Sequence, residues 1–161
     1  MIVARTKSVD DTRALAAELS ELARPGDLLV LAGDLGAGKT AFAQGFAHGL
    51  DVHEPVTSPT FQLVRIYHGR LPLVHVDVYR LDHLQEVVDL GLAELLDGPG
   101  VVLVEWGDVV APTLPADFLE VRLELTDTDD ERLVQVRTVG PSWAPRVKAL
   151  ERALGQWLAE G

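Results

Sequence analysis

Cysteine is absent from the 161 residues, and so is asparagine. Without cysteine the chain has no disulfides, no thiolate metal ligands and no thiol nucleophile. Basic residues are scarce. Fourteen lysines and arginines stand against 25 aspartates and glutamates, a formal net charge of −11. Such a surface repels a phosphate backbone, and no lysine- or arginine-rich run offsets it locally, so direct, tight binding of nucleic acid is not expected. Long apolar runs are missing as well; those present are short and broken by charge, which argues against a transmembrane helix. The stretch "MIVARTKSVDDTR" carries no signal-peptide core, and a cytoplasmic location is expected. No internal repeat, low-complexity tract or linker divides the sequence, so a single domain over 1–161 is expected.

What is present alternates between helical and strand patterns. Ser8 with Asp11 marks a helix start, Leu15, Leu19 and Leu22 form its apolar stripe, and Pro25-Gly26 ends it. "DLLVLA" at 27–32 is short, apolar and bounded by turn residues, which predicts a buried strand. A glycine-rich turn follows, then a helix from about Lys39 to His48 with Gly49 as its stop. "FQLVRIYH" and "LPLVHVD" read as strands around a Gly69-Arg70 turn, and short helices are expected over 82–97. "VVLVE" at 101–105 is a continuous apolar strand ending in an acid. "FLEVRLEL" and "RLVQVRTV" alternate strictly on either side of the acidic "TDTDDE" and predict an antiparallel pair. Trp143, Val147, Leu150, Leu154, Trp157 and Leu158 predict one C-terminal helix. Together these elements describe an α/β domain with a largely parallel sheet and an antiparallel extension.

The stretch "GDLGAGKT" matches G-x-x-x-x-G-K-[ST], with Gly33, Gly38, Lys39 and Thr40 at the fixed places. Glycines allow a tight turn whose successive N–H groups form an anion nest, and the helix that follows adds its positive end. Lys39 brings a mobile cation for β- and γ-phosphates, and the Thr40 hydroxyl suits Mg²⁺, which prefers oxygen ligands. The expected ligand is a nucleoside polyphosphate held by Gly33, Asp34, Leu35, Gly36, Ala37, Gly38, Lys39, Thr40 and Ala41. The missing asparagine removes the N-K-x-D signature of guanine specificity, which favours ATP over GTP.

Such a loop needs acids for the metal and the attacking water. Asp77 and Glu105 each end an apolar strand, and ligands of parallel sheets gather at the carboxyl ends of strands. Both acids are therefore expected near Thr40; spacing does not say which holds Mg²⁺ and which orients water. In "TSPTF", Thr57, Ser58 and Thr60 supply hydroxyls and Pro59 stiffens a loop suited to sensing a γ-phosphate. Of the neighbouring residues, Trp106 reads as core, Arg80 as an ion-pair partner and His75 as structural.

Four motifs, "GDLGAGKT", "VTSPTF", "HVDVYRL" and "VEWGD", occur in this order at suitable spacing. Together they resemble the TsaE family, also called YjeE, of small bacterial P-loop ATPases. The likeness spans residues 8 to about 108 and is weaker in the terminal hairpin. It implies a P-loop NTPase-like three-layer fold with an antiparallel C-terminal hairpin and a C-terminal helix. It also implies a role in making threonylcarbamoyladenosine at position 37 of tRNA. In that family the ATPase acts with a TsaB–TsaD heterodimer, and tRNA is met only through these partners. Carried over by motif, Lys39, Asp77 and Glu105 form the catalytic set, and Thr40 and Glu105 hold the metal. Thr57, Ser58, Thr60 and Trp106 form the switch-like set. One departure is visible: Ala41 stands where the family usually has Thr or Ser, and a second hydroxyl near the phosphates is lost. Slow hydrolysis alone is expected, since Arg80 is the only arginine-finger candidate inside a motif. A small-molecule P-loop kinase is the alternative, although residues 82–97 lack the arginines of a kinase lid.

Overall fold

The computed structural model describes residues 1–34, 36–57, 64–77, 91–105 and 114–159. Seven strands form one sheet: β1 (Ile2–Thr6), β2 (Leu28–Gly33), β3 (Val64–Tyr67), β4 (Leu73–Asp77), β5 (Val101–Glu105), β6 (Phe118–Leu125) and β7 (Arg132–Val139). Their spatial order is β1-β7-β6-β2-β5-β4-β3. The centre, β6-β2-β5-β4, is parallel throughout, while β3, β7 and β1 are added by antiparallel pairing. Five strands consequently run in one direction and two, β3 and β7, in the other. The expected mostly parallel sheet with an antiparallel β6–β7 hairpin is what the chain adopts.

Alternation along the strands divides the core in two. Leu29, Leu31, Val101 and Leu103 join Leu15, Leu19, Phe42, Phe46 and Leu150 on one face, beneath α1 (Val9–Ser20), α2 (Lys39–Gly49) and α4 (Val147–Ala153). Leu28, Val30, Val102 and Val104 pack on the other face with Val74 and Val76, where Leu95 and Leu96 of the short helix α3 (Leu92–Leu96) close over them. The three-layer arrangement follows from strands that are apolar on both sides. Residues 82–90 of the predicted 82–97 helical segment, and residues 61–63 of the predicted 61–68 strand, lie outside the described residues. Among the described residues no helix is long and apolar enough to cross a membrane.

Local chemistry sets the helix ends. Ser8 caps α1, accepting from the Asp11 amide at 3.0 Å, as its position predicts. Asp11 in turn accepts from the Lys7 amide at 2.9 Å and from the Trp157 indole at 2.7 Å. Gly49 does not stop α2. The helix runs through it, and Asp51 takes the left-handed turn at φ 63°, with Asp51 N donating to His48 O and Val52 N to Ala47 O. This is a Schellman ending one residue after the cap. Gly49 and Gly45 serve packing instead: a methyl at either would overlap the α1 backbone around Ala17 or Arg13, so the two helices cross in close contact.

Two further elements depart from expectation. The N-terminal stretch, unassigned in the sequence, is strand β1, paired with β7 from Ile2↔Val136 to Thr6↔Arg132. The C-terminal helix is not continuous. A 3-10 turn at Ala144–Arg146 precedes α4, and another at Gly155–Trp157 follows it. Pro145 fits only a first turn, and Gly155 disfavours continued helix. The apolar residues still face inward, with Trp143, Leu150, Leu154 and Trp157 buried.

A buried ion pair fastens this C-terminal segment to the start of β2. Arg146 donates to both Asp27 oxygens at 2.7 and 2.8 Å, also reaches the Leu22 carbonyl at 3.0 Å, and stacks 3.7 Å from the Trp143 ring centre. Both charges are more than nine-tenths buried. Removing one partner strands the other away from water, whereas removing both does not. Arg146→Met is expected to cost about 3–5 kcal/mol of stability, and Asp27→Leu added to it should restore most of the loss. Urea unfolding of the two variants measures this.

Candidate functional site

β2 ends on Gly33 at the carboxyl edge of the sheet, and the glycine-rich loop follows. Gly33 has φ 133°, and a methyl there would overlap the Leu123 carbonyl of β6. The loop therefore leaves the sheet in a conformation and a space open only to glycine. Gly36 and Gly38 also have positive φ, 78° and 103°. Gly38 is the N-cap of α2, which has no side-chain cap and no acid in its first turn. α1, by contrast, has both a serine cap and two acids. The first amides of α2 thus carry their partial positive charge without an intrinsic counter-charge, a ready anion site.

Lys39 opens α2 and is only 6% exposed. Its ammonium donates to the Gly33 and Asp34 carbonyls, both at 2.9 Å, and so lies back across its own loop. Thr40 follows it and is half-buried. The hairpin braces the loop from outside, since Arg132 Nε donates to the Ala37 carbonyl at 3.1 Å. Between loop and hairpin lies a small cleft lined by Gly36, Gly38, Ala41, Val9, Thr12, Asp130 and Arg132. Ala41, the residue that departs from the family pattern, faces this cleft.

The two strand-end acids are neighbours. In the parallel β4–β5 pair Asp77 lies opposite Glu105, and in the β2–β5 pair Leu31 lies opposite Glu105. Both acids are buried, at 5% and 2% exposure. Alternation puts Asp77 and Glu105 on the α2 face, in step with Leu103 and Leu31. His75, two residues before Asp77, is on the same face and fully buried. Its Nε2 lies 2.5 Å from Glu105 Oε2, and its Nδ1 has no hydrogen-bond partner among the described residues. Asp77 and Glu105 bring carboxylate oxygens, the kind of donor a hard divalent cation takes, to the carboxyl edge of the sheet.

Thr57 is held at the far side of α2. Its hydroxyl accepts from Arg65 at 3.1 Å, and the Tyr67 hydroxyl lies 3.4 Å from its amide. Gln44 of α2 donates to the Val56 carbonyl at 3.0 Å and links this loop to α2. Of the other residues singled out in the sequence, Leu35, Ser58, Thr60 and Trp106, with Pro59 and Arg80, lie outside the described residues. Arg132 and Gln44 escape sequence reasoning. Arg132 reaches a loop 95 positions away, and neither residue type signals such a contact.

Comparison with known proteins places the chain in a family and supports its fold. A family model described as "Threonylcarbamoyl adenosine biosynthesis protein TsaE" matches residues 6–134. The tRNA threonylcarbamoyladenosine biosynthesis protein TsaE of Bacillus subtilis is 43% identical over 149 residues, covering 92% of each chain. The Streptomyces coelicolor protein of the same name is 45% identical over 140 residues, covering 82% of this chain and 93% of that one. The crystal structure of Bacillus subtilis YdiB superposes with a TM-score of 0.78 at 38% identity, over 94% of this chain and 97% of that one.

The two loop glycines differ in what they tolerate. Gly33→Ala must overcome both its dihedral and the Leu123 carbonyl, and should lose more than about 2 kcal/mol. Gly36→Ala has open space and faces only the left-handed penalty of about 1–2 kcal/mol. Denaturant unfolding of both variants checks the order; equal losses would mean that Leu123 does not confine Gly33.

Proposed function

This chain belongs to the TsaE family of threonylcarbamoyl adenosine biosynthesis proteins, and from that premise we propose that it binds Mg²⁺-ATP in the Gly33–Ala41 loop and hydrolyses it to support tRNA N6-threonylcarbamoyladenosine formation. The observation that carries this reading is the start of α2, with no cap and no acid in its first turn, behind a loop that draws Lys39 inward. An anion of several charges satisfies the first amides of α2 and the ammonium at once.

The phosphates seat on the loop and on α2, and Lys39 exchanges the Gly33 and Asp34 carbonyls for β- and γ-phosphate oxygens. The nucleoside end extends toward the cleft between Ala41 and Arg132. Thr40 and Glu105 would hold Mg²⁺, which would supply charge neutralisation for the phosphates. Asp77, beside Glu105, orients a water in line with the γ-phosphorus. As that water attacks, the bond to the β-phosphate oxygen breaks and ADP and phosphate result. Lys39 and the α2 amides meet the charge that builds on the transferring group. Thr57 supplies a hydroxyl from a loop suited to sensing the γ-phosphate.

TsaB- and TsaD-like proteins are the proposed partners. The formal charge of −11 supports leaving tRNA contact to them. Each of Lys39→Ala and Glu105→Ala should lower ATP hydrolysis, measured with those partners present, by about 100-fold or more. Parental rates in both variants would refute the assignment of the site.

A further inference from the structure

We infer that His75 is a positioning residue for Glu105: its Nε2–H holds one carboxylate oxygen and thereby leaves the other to the nucleotide-borne cation. The inference rests on the magnesium-nucleotide reading proposed above, and it deepens it by separating the two strand-end acids.

The geometry is specific. His75 and Glu105 sit on adjacent parallel strands, on one face, in diagonal register, since Leu103 is the residue opposite His75. The ring nitrogen and the carboxylate oxygen are 2.5 Å apart, and both residues are buried. Burial also selects the tautomer. Nδ1 has no partner among the described residues, so a proton there would be a donor without an acceptor in a dry site. The hydrogen bond is made instead from Nε2, whose proton points at Glu105 Oε2. A glutamate has one more rotatable bond than an aspartate, and an unrestrained Glu105 would have to be ordered each time a cation bound. The His75 bond removes that freedom in advance. It acts as the partners of metal-ligating carboxylates act, through orientation of the ligand rather than contact with the metal.

A histidine that merely fills the core makes different predictions. Nitrogen NMR of the full chain with labelled histidine should show a proton on His75 Nε2; an Nε2 without one overturns the inference. Calorimetric titration of ATP, with Mg²⁺ and then with EDTA, gives the ratio of the two dissociation constants. His75→Leu should shrink that ratio about 10-fold or more. His75→Gln, whose amide nitrogen takes the place of Nε2, should keep most of it. A purely structural histidine would lower the unfolding temperature of both variants and leave the ratio intact, which would overturn the inference alone. If His75→Leu does not fold, the NMR result decides, and an Nε2 without a proton overturns the inference. A parent chain that binds ATP with no dependence on magnesium would instead overturn the function proposed above.

Discussion

The register of three parallel strands governs everything at the carboxyl edge of the sheet. Leu31 lies beside Glu105 and Glu105 beside Asp77, so the strand that leads into the glycine loop and the two strands that end in acids finish at one level. Side chains alternate with a period of two. A slip of one residue in β5 would carry Glu105 to the α3 face, away from α2, and bring Val104 to its place. The apolar residues prevent this. Val101 and Leu103 belong to the core beneath α1 and α2, while Val102 and Val104 belong to the opposite core, and each set is buried only in the observed register. Packing of ordinary valines and leucines is thus what puts two carboxylates side by side, next to the strand that leads into the glycine loop.

Around that edge, rigid elements hold the loop from several directions. Gly33 fits under Leu123 because it has no side chain, Arg132 ties Ala37 to the hairpin, and close crossing at Gly45 and Gly49 seats α2 against α1. α1 is fixed in turn through Asp11 to Trp157, and the C-terminal segment is fixed through Arg146 to Asp27. The chain ends far from the loop in sequence therefore bear on its placement. In the reading proposed above, Lys39 is the part of this assembly that changes partners. Carbonyl groups are weaker partners for an ammonium than phosphate oxygens, so a phosphorylated ligand can replace them without disturbing the strand or helix on either side.

Much of this is legible in the sequence, and the limits have physical causes. The glycine loop, the cap at Ser8, the central strands and the β6–β7 hairpin are local patterns, each decided by residues within a few positions of one another. Asp77 and Glu105 stand out because an acid ends each of two apolar runs, and the strands do bring them side by side. His75 reads as merely structural, because its bond to Glu105 depends on pairing between strands 30 residues apart. Strand β1 is hidden for a similar reason. "IVART" becomes a strand only when β7, well over a hundred residues later, offers its edge. Gly49 carries a helix-stop signal, yet close packing against α1 claims it and the turn passes to Asp51. The apolar spacing of the last helix survives, but Pro145 and Gly155 break its backbone into shorter pieces.

Charge presents an apparent conflict between the whole and the site, and distance resolves it. The chain carries a formal −11, yet its glycine loop gathers Lys39 and the positive end of α2 at one point. At physiological salt, fields decay over about 8 Å. A ligand seated within the loop is inside that distance of the ammonium and the α2 amides, and it feels mainly attraction. A nucleic-acid backbone, spread over many phosphates, must approach the surrounding acidic surface as well, and most of its charge meets like charge. The same excess of acid therefore leaves a compact polyphosphate free to bind and turns an extended one away. In the reading proposed above, this is the electrostatic condition for a nucleotide-dependent subunit that serves a tRNA modification and leaves the tRNA to its partners.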